Sequence, residues 1–218
     1  LLYMIIFEKV KKIYKRNKQS KSVFENLDFT INSGDFIKIV GPNGSGKSTF
    51  LKLIKKIILP NQGNIYFDKD INDSDVAYVS QNQRSFFLNL TVKENLLFFN
   101  SLNNKNKANL ESEILENLKN FNLEEKINAH MSNLSSGQIK KISIIRALLS
   151  HPKILLLDEV TSNLEEKSRL FLFDFVLNEL NKTQNVSVIW TTHYPNEIKQ
   201  SNEKSYFIEN NKFKKLPH

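Results

Sequence analysis

Apolar and polar positions change rhythm several times along this chain. From Ile5 to Val40, β-rich runs follow one another at Ile5–Tyr14, Val23–Ile31 and Phe36–Val40, separated by polar turns containing Asn17–Ser22 and Asn32–Gly34. A helical run through Phe50–Ile54 and a turn at Pro60–Gly63 precede two short strands, Asn64–Asp68 and Val76–Val79. Near Leu90 the period lengthens. Thr91–Asn100, Leu110–Phe121 and Gln138–Leu149 carry apolar residues at helical spacings, with Asn and Lys between them. Strands return at Ile154–Leu157 and Val186–Trp190, alternating with a helix over Glu165–Leu180. Short buried strands alternating with helices predict an α/β fold with a mostly parallel sheet, in which ligands sit at the carboxyl ends of strands. The early strands predict an antiparallel β-layer near the N-terminus, and about 90–150 reads as a helical insertion. No repeat, low-complexity linker or coiled coil divides the chain, so a single domain over 1–218 is expected.

Directly after Phe36–Val40 stands Gly41, Pro42, Asn43, Gly44, Ser45, Gly46, Lys47, Ser48, Thr49, which fits G-x-x-x-x-G-K-[ST]. The glycines let successive backbone N–H groups curl around a phosphate chain where a Cβ would obstruct the turn. Lys47 can reach the β- and γ-phosphates, and the Ser48 hydroxyl can ligate Mg²⁺. The helix beginning near Lys47 adds its unpaired N–H groups and the positive end of its dipole. A strand before and a helix after are the context this loop requires.

Two further segments carry chemistry. Ile154–Leu157 is apolar and runs into Asp158 and Glu159; a buried strand cannot bury charge cheaply, so both acids belong at its exposed end. There Asp158 can hold Mg²⁺ through a water, and Glu159 can act as general base towards an attacking water. Ser135, Ser136, Gly137 and Gln138 precede an amphipathic helix. Ser135 is a natural N-cap and Gly137 permits close backbone approach, which makes a second phosphate-facing helix N-terminus. One nucleotide does not need two such sites, and the economical resolution is that this one faces the nucleotide of a second subunit.

Composition narrows the classes. Apolar and charged fractions of 40% and 25% are those of a soluble globular protein, and 218 residues suffice for a sizeable core. No run approaches the ~18 apolar residues of a membrane span, so any crossing of a membrane falls to another chain. The absence of cysteine excludes disulfides and thiolate metal sites. A net charge of +8 would suit nucleic acid or an anionic membrane surface, but the lysines are scattered (Lys9, Lys55, Lys140, Lys214 and others) without interleaved aromatics. No specific nucleic-acid partner is expected. Abundant Asn, Lys, Ile and Phe associate with an AT-rich genome, such as that of an organelle or endosymbiont. Leu1–Phe7 is too short for a secretory signal, and Met4 or a non-standard codon is the expected start.

Taken in order, these segments resemble the ATP-binding subunit of an ABC transporter, over roughly Glu8 to Pro195. The phosphate loop spans Gly41–Thr49, a glutamine loop falls at Gln81, the signature at Leu134–Gln138, the acidic strand at Ile154–Glu159, and a switch histidine at His193. The resemblance implies a P-loop NTPase core that hydrolyses ATP with Mg²⁺. It implies a head-to-tail homodimer, with each ATP held between one phosphate loop and the opposing signature. Integral membrane permease subunits would be its partners, with the chain on the cytoplasmic face of a membrane, or on the matrix face of the mitochondrial inner membrane if organelle-encoded. By the same resemblance Tyr14 stacks on adenine, Gln81 contacts Mg²⁺ and the water, and His193 contacts the γ-phosphate. Gln83 is a rival for the glutamine-loop role.

The chain departs from the family pattern at Ser136, where the signature has Gly, at Glu165, where Asp is usual, and at Val160, where Pro is common. Ser136, the segment Leu90–Phe99 and the Thr-Thr-His-Tyr-Pro run most resemble the haem-exporter ATPase of cytochrome c maturation. Another small exporter or a lipoprotein-release ATPase is the alternative. A non-transport ABC ATPase would need a long coiled-coil insertion or tandem ATPase domains, and the sequence has neither.

Overall fold

A computed structural model describes residues 3–16, 19–81, 85–102, 109–162, 164–193, 204–209 and 211–216. The chain opens with β1 (Tyr3–Arg16) and β2 (Gln19–Asn32), continues through β3 (Phe36–Val40) into α1 (Lys47–Ile54), and returns in β4 (Gln62–Phe67) and β5 (Val76–Val79). Three helices follow, α2 (Val92–Ser101), α3 (Leu110–Asn120) and α4 (Ser136–Leu148). Then come β6 (Ile154–Asp158), α5 (Glu166–Asp174), β7 (Ser187–Thr192), β8 (Lys204–Glu209) and β9 (Lys212–Lys215).

These strands form two sheets. β2-β1-β4 is the antiparallel layer expected near the N-terminus, and β5-β6-β7-β3-β8-β9 is parallel except for β9. β3, β6 and β7 are buried along their whole length, as strands covered on both faces must be. Side chains alternate across the parallel sheet with period two. Phe36, Val188 and Trp190 join the apolar cluster under the helices, whereas Ile37, Ile39 and Ile189 join the cluster under the antiparallel layer.

The helical segment shares the first of these clusters. Leu96, Ile114 and Leu118 pack into one apolar body with Ile142, Ile145, Leu155 and Leu157. α2 starts where its sequence supplies a capping box: Thr91 Oγ1 accepts from Glu94 N–H at 3.2 Å, and Glu94 Oε2 accepts from Thr91 N–H at 2.7 Å. The Arg146 guanidinium of α4 lies 4.4 Å from the Phe86 ring centroid and 4.5 Å from that of Phe99, tying the chain ahead of α2 to α4.

Two expectations need correction, and one hairpin lies beyond them. The polar stretch Asn17–Ser22 is not all turn, since β2 begins at Gln19, whose Cα partner is Arg16. Its first residues are exposed and polar on both faces, so alternation gives no signal. The helix expected over Glu165–Leu180 is α-helical only to Asp174 and continues as a π-helix over Phe175–Thr183. The hairpin of β8 and β9 was not anticipated, because both strands are short and β9 is lysine-rich; the register pairs of β3 with β8 supply what the side chains do not.

α1 buries Phe50, Leu51, Leu53 and Ile54, and the Phe50 ring sits among other aromatics. Phe50 stands 5.0 Å from Phe7, 5.2 Å from Phe29 and 4.9 Å from Phe213, centroid to centroid, so rings from both sheets meet on the helix behind the phosphate loop. Phe50→Ala is expected to cost about 3–5 kcal/mol, the range for emptying a buried aromatic site. A lower denaturant midpoint with an unchanged slope would verify it, and an unchanged midpoint would show that these rings repack without Phe50.

Candidate nucleotide site

The carboxyl ends of β3, β6 and β7 converge on the loop before α1. Gly46 has φ of 113°, and a Cβ there would stand 2.6 Å from Val23 Cγ1, so glycine is required both by conformation and by β2 lying over the loop. α1 begins directly at Lys47 with no acidic side chain in its first turn, which leaves its positive dipole end uncompensated.

Lys47 is buried and donates from Nζ to Gly41 O at 2.7 Å and Pro42 O at 3.1 Å; Glu159 Oε1 lies 3.1 Å away. The other Glu159 oxygen accepts from Gln81 Nε2 at 2.9 Å and lies 3.7 Å from His193 Nδ1. Four side chains expected to act together, Lys47, Gln81, Glu159 and His193, are thus assembled from four separate segments. Gln83, Tyr194 and Pro195 lie outside the described residues, as does Asn163.

Asp158 is only 2% exposed and accepts three hydroxyls: Ser48 Oγ at 3.0 Å and Thr191 Oγ1 at 2.9 Å on Oδ1, and Tyr78 at 2.9 Å on Oδ2. Burial, and secondly the Asp158 charge, push the Tyr78 hydroxyl well above its ordinary pKa, so it stays a donor. Tyr78 and Thr191 were missed in the sequence. The one available signal was a hydroxyl inside an apolar strand, in register with Leu156 and Asp158 respectively.

Ser48 Oγ and Asp158 Oδ1 offer hard oxygen donors side by side, which suits Mg²⁺. Among the described residues no group of three or more His, Cys, Asp or Glu gathers to hold a metal, so the fit is to an ion shared with phosphate oxygens. Gln81 stands on Glu159, not on Ser48 or Asp158.

A cavity of about 210 Å³ is lined by Tyr14, Lys21, Val23, Gly44, Gly46, Lys47, Ser48, Thr49 and Glu159. The Tyr14 ring, 41% exposed, stands at its rim with its hydroxyl 3.4 Å from Thr49 Oγ1. Lys21, an exposed lysine with no signal in its local sequence, donates to Gly44 O at 3.3 Å. A larger cavity of about 700 Å³ lies elsewhere, lined by Glu113, Glu116, His151 and Glu179 among others. It has neither a glycine loop nor a lysine, and its carboxylates would repel a polyphosphate.

Ser135, Gly137 and Gln138 do not line the cavity around Lys47. They form the N-terminus of α4, where Ser135 Oγ accepts from Gln138 N–H at 3.2 Å and Gln138 Oε1 accepts from Ser135 N–H at 2.9 Å. Ser135 and Ser136 are exposed, so this end is presented outward.

Residues 24–162 match the family described as ABC transporter. The chain belongs to that family. It is the ATP-binding subunit of an ABC transporter, with an ABC-type ATPase fold. The ATP-binding protein LolD of the lipoprotein-releasing system of Buchnera aphidicola subsp. Acyrthosiphon pisum (strain APS) is 33% identical over 204 residues, covering 87% of each chain. The ABC transporter cassette MJ0796, solved as a dimer, superimposes with a TM-score of 0.85 at 28% identity, covering 99% of this chain and 100% of that one. The same cassette in a post-hydrolysis state with ADP and Pi gives a TM-score of 0.84 at 28% identity over the same shares. No helix among the described residues is long and apolar enough to cross a membrane.

In this ABC cassette Lys47→Ala is expected to abolish Mg-ATP binding, because the loop backbone alone would face the polyphosphate charge. Calorimetric titration of the variant tests this, and undiminished affinity would remove the phosphate-loop assignment.

Proposed function

We propose that this chain hydrolyses ATP as a homodimer and thereby drives export through separate membrane permease subunits. The observation that carries the reading is the convergence of Lys47, Gln81 and His193 on Glu159, while Ser135 and Gly137 lie outside that cavity. Tyr14 is the proposed adenine contact, and Gly41 to Thr49 the phosphate cradle. Ser48 and Asp158 would hold Mg²⁺, which when bound neutralises phosphate charge.

Lys47 now divides its donors between two loop carbonyls and Glu159. An entering polyphosphate competes for that ammonium. Glu159, released from its ion pair, keeps its hydrogen bond to Gln81 and is left to accept a proton from water. His193 is placed to approach the terminal phosphate. Ser135 and Gly137 complete the site of the opposite subunit. We take 1–218 as one domain with a helical part over about 90–150.

With the chain on the cytoplasmic face, the integral membrane partner would dock on the exposed apolar residues Phe87, Leu88, Phe98 and Leu102, where the Phe87 and Phe98 rings meet at 5.0 Å. For cargo, likeness to a LolD favours lipoprotein release. Haem export rests on Ser136, on the segment Leu90–Phe99 and on a histidine run whose last residues fall outside the described part; neither it nor a mitochondrial setting gains support from the relatives named above.

Glu159→Gln should leave nucleotide binding intact and lower turnover by roughly 10²–10⁴-fold, the range for losing a general base. A near-wild-type rate would show that another group activates the water. Gly137→Asp tests sharing. A Cβ there meets only Leu164 Cδ2 at 3.4 Å and Ser135 Oγ at 3.9 Å, so the fold should tolerate it. Against a γ-phosphate about 4 Å away, its carboxylate costs on the order of 4 kcal/mol per charge pair at an effective dielectric of 20. Hydrolysis should fail while ATP binding survives, and mixing with Lys47→Ala should recover up to one working site per mixed dimer. Normal hydrolysis by Gly137→Asp as a monomer would end the shared-site reading.

A further inference from the structure

Lys140 has no part in the chemistry described so far, yet it is 7% exposed in the middle of α4. A buried ammonium needs acceptors, and it finds them on one turn. Nζ donates to Ser162 O at 2.7 Å, to Ser162 Oγ at 2.7 Å and to Glu159 O at 3.2 Å. The Ser162 hydroxyl donates in turn to Glu159 O at 2.8 Å, and Ser162 N–H reaches the same carbonyl at 3.1 Å.

That turn needs holding. Glu159 has φ of 48°, a left-handed conformation that a residue with a Cβ adopts only at a steric cost. Its N–H is fixed from the sheet by Thr191 O and Thr191 Oγ1, both at 3.1 Å. Its carbonyl is fixed from the helical side by Lys140 and Ser162. Lys140 also lies two residues beyond Gln138, on the same short helix whose N-terminus Ser135 caps. One rigid element therefore carries both the exposed Ser135–Gly137 end and the ammonium gripping the backbone of Glu159.

We propose that Lys140 is a positioning residue: it holds Glu159 in its left-handed conformation and links the aim of that carboxylate to the placement of the N-terminus of α4. The proposal rests on the reading of Glu159 as general base. Misplacement of a reacting group by about 1 Å can cost on the order of 10²-fold in rate. Lys140→Met keeps the length of the side chain and removes its donors.

The test is steady-state ATPase kinetics and nucleotide binding on the full chain. Lys140→Met is expected to lower kcat by roughly 10–100-fold, with KM and ATP affinity within about threefold of wild type. Lys140→Arg, which restores a donor, should recover part of the loss. In a Glu159→Gln background Lys140→Met should change the residual rate by less than about twofold, because no base remains to be aimed. Should Lys140→Met not fold, Ser162→Ala removes the hydroxyl joining Lys140 to Glu159 O and should show the same split between kcat and KM. An unchanged kcat, a parallel loss of affinity, or an equal loss in the Glu159→Gln background overturns the positioning role. Wild-type turnover in Glu159→Gln alone instead overturns the base assignment, and the role of Lys140 with it.

Discussion

A carboxylate withdrawn from water has to be met by donors, and Asp158 is met by three. Tyr78 comes from β5, Thr191 from β7 and Ser48 from the first turn of α1, so the strands on either side of β6 and the helix behind the phosphate loop all close on one charge. Each of these hydroxyls would leave the carboxylate short of a partner if its element shifted by an ångström or two. The register of the sheet mouth and the start of α1 are therefore fixed by a single desolvation requirement. Glu159, next in the chain, inherits a fixed starting point and turns away from the strand into Lys47, Gln81 and the neighbourhood of His193.

Much of this was legible because charge and glycine interrupt apolar runs. Gly41–Thr49 follows a buried strand, Asp158 and Glu159 end another, and His193 ends a third; strand ends on one edge of a parallel sheet are neighbours whatever their distance in sequence. The N-cap at Ser135 was legible from its own four residues. What could not be read was pairing between distant elements. Tyr78, Thr191 and Lys140 have ordinary local surroundings, and their meaning comes only from which strand or turn lies beside them. β9 was hidden for a related reason. Its outward lysines mask Phe213, whose ring completes the aromatic group around Phe50.

The two apolar clusters divide the labour of the fold. The one beneath the antiparallel layer immobilises α1 and with it the phosphate loop. The other is continuous from Leu155 and Leu157 out to Leu96 and Ile114, so the three helices are an outgrowth of the core and not a separate body hung from it. A displacement at the outer end of α4 is thereby transmitted to the sheet through packed side chains.

The strand order has a consequence for how the molecule is made. β3 delivers the chain to the phosphate loop early in the sequence, but its neighbours in the sheet are β7 and β8, which begin only at Ser187 and Lys204. During synthesis at about 5–20 residues per second, the loop waits many seconds with its supporting strand unpaired on both sides. Nucleotide affinity can then appear only once the chain through β7 and β8 has left the ribosome. A nascent chain stalled before β8 would have every residue of the phosphate loop and no finished place to hold it.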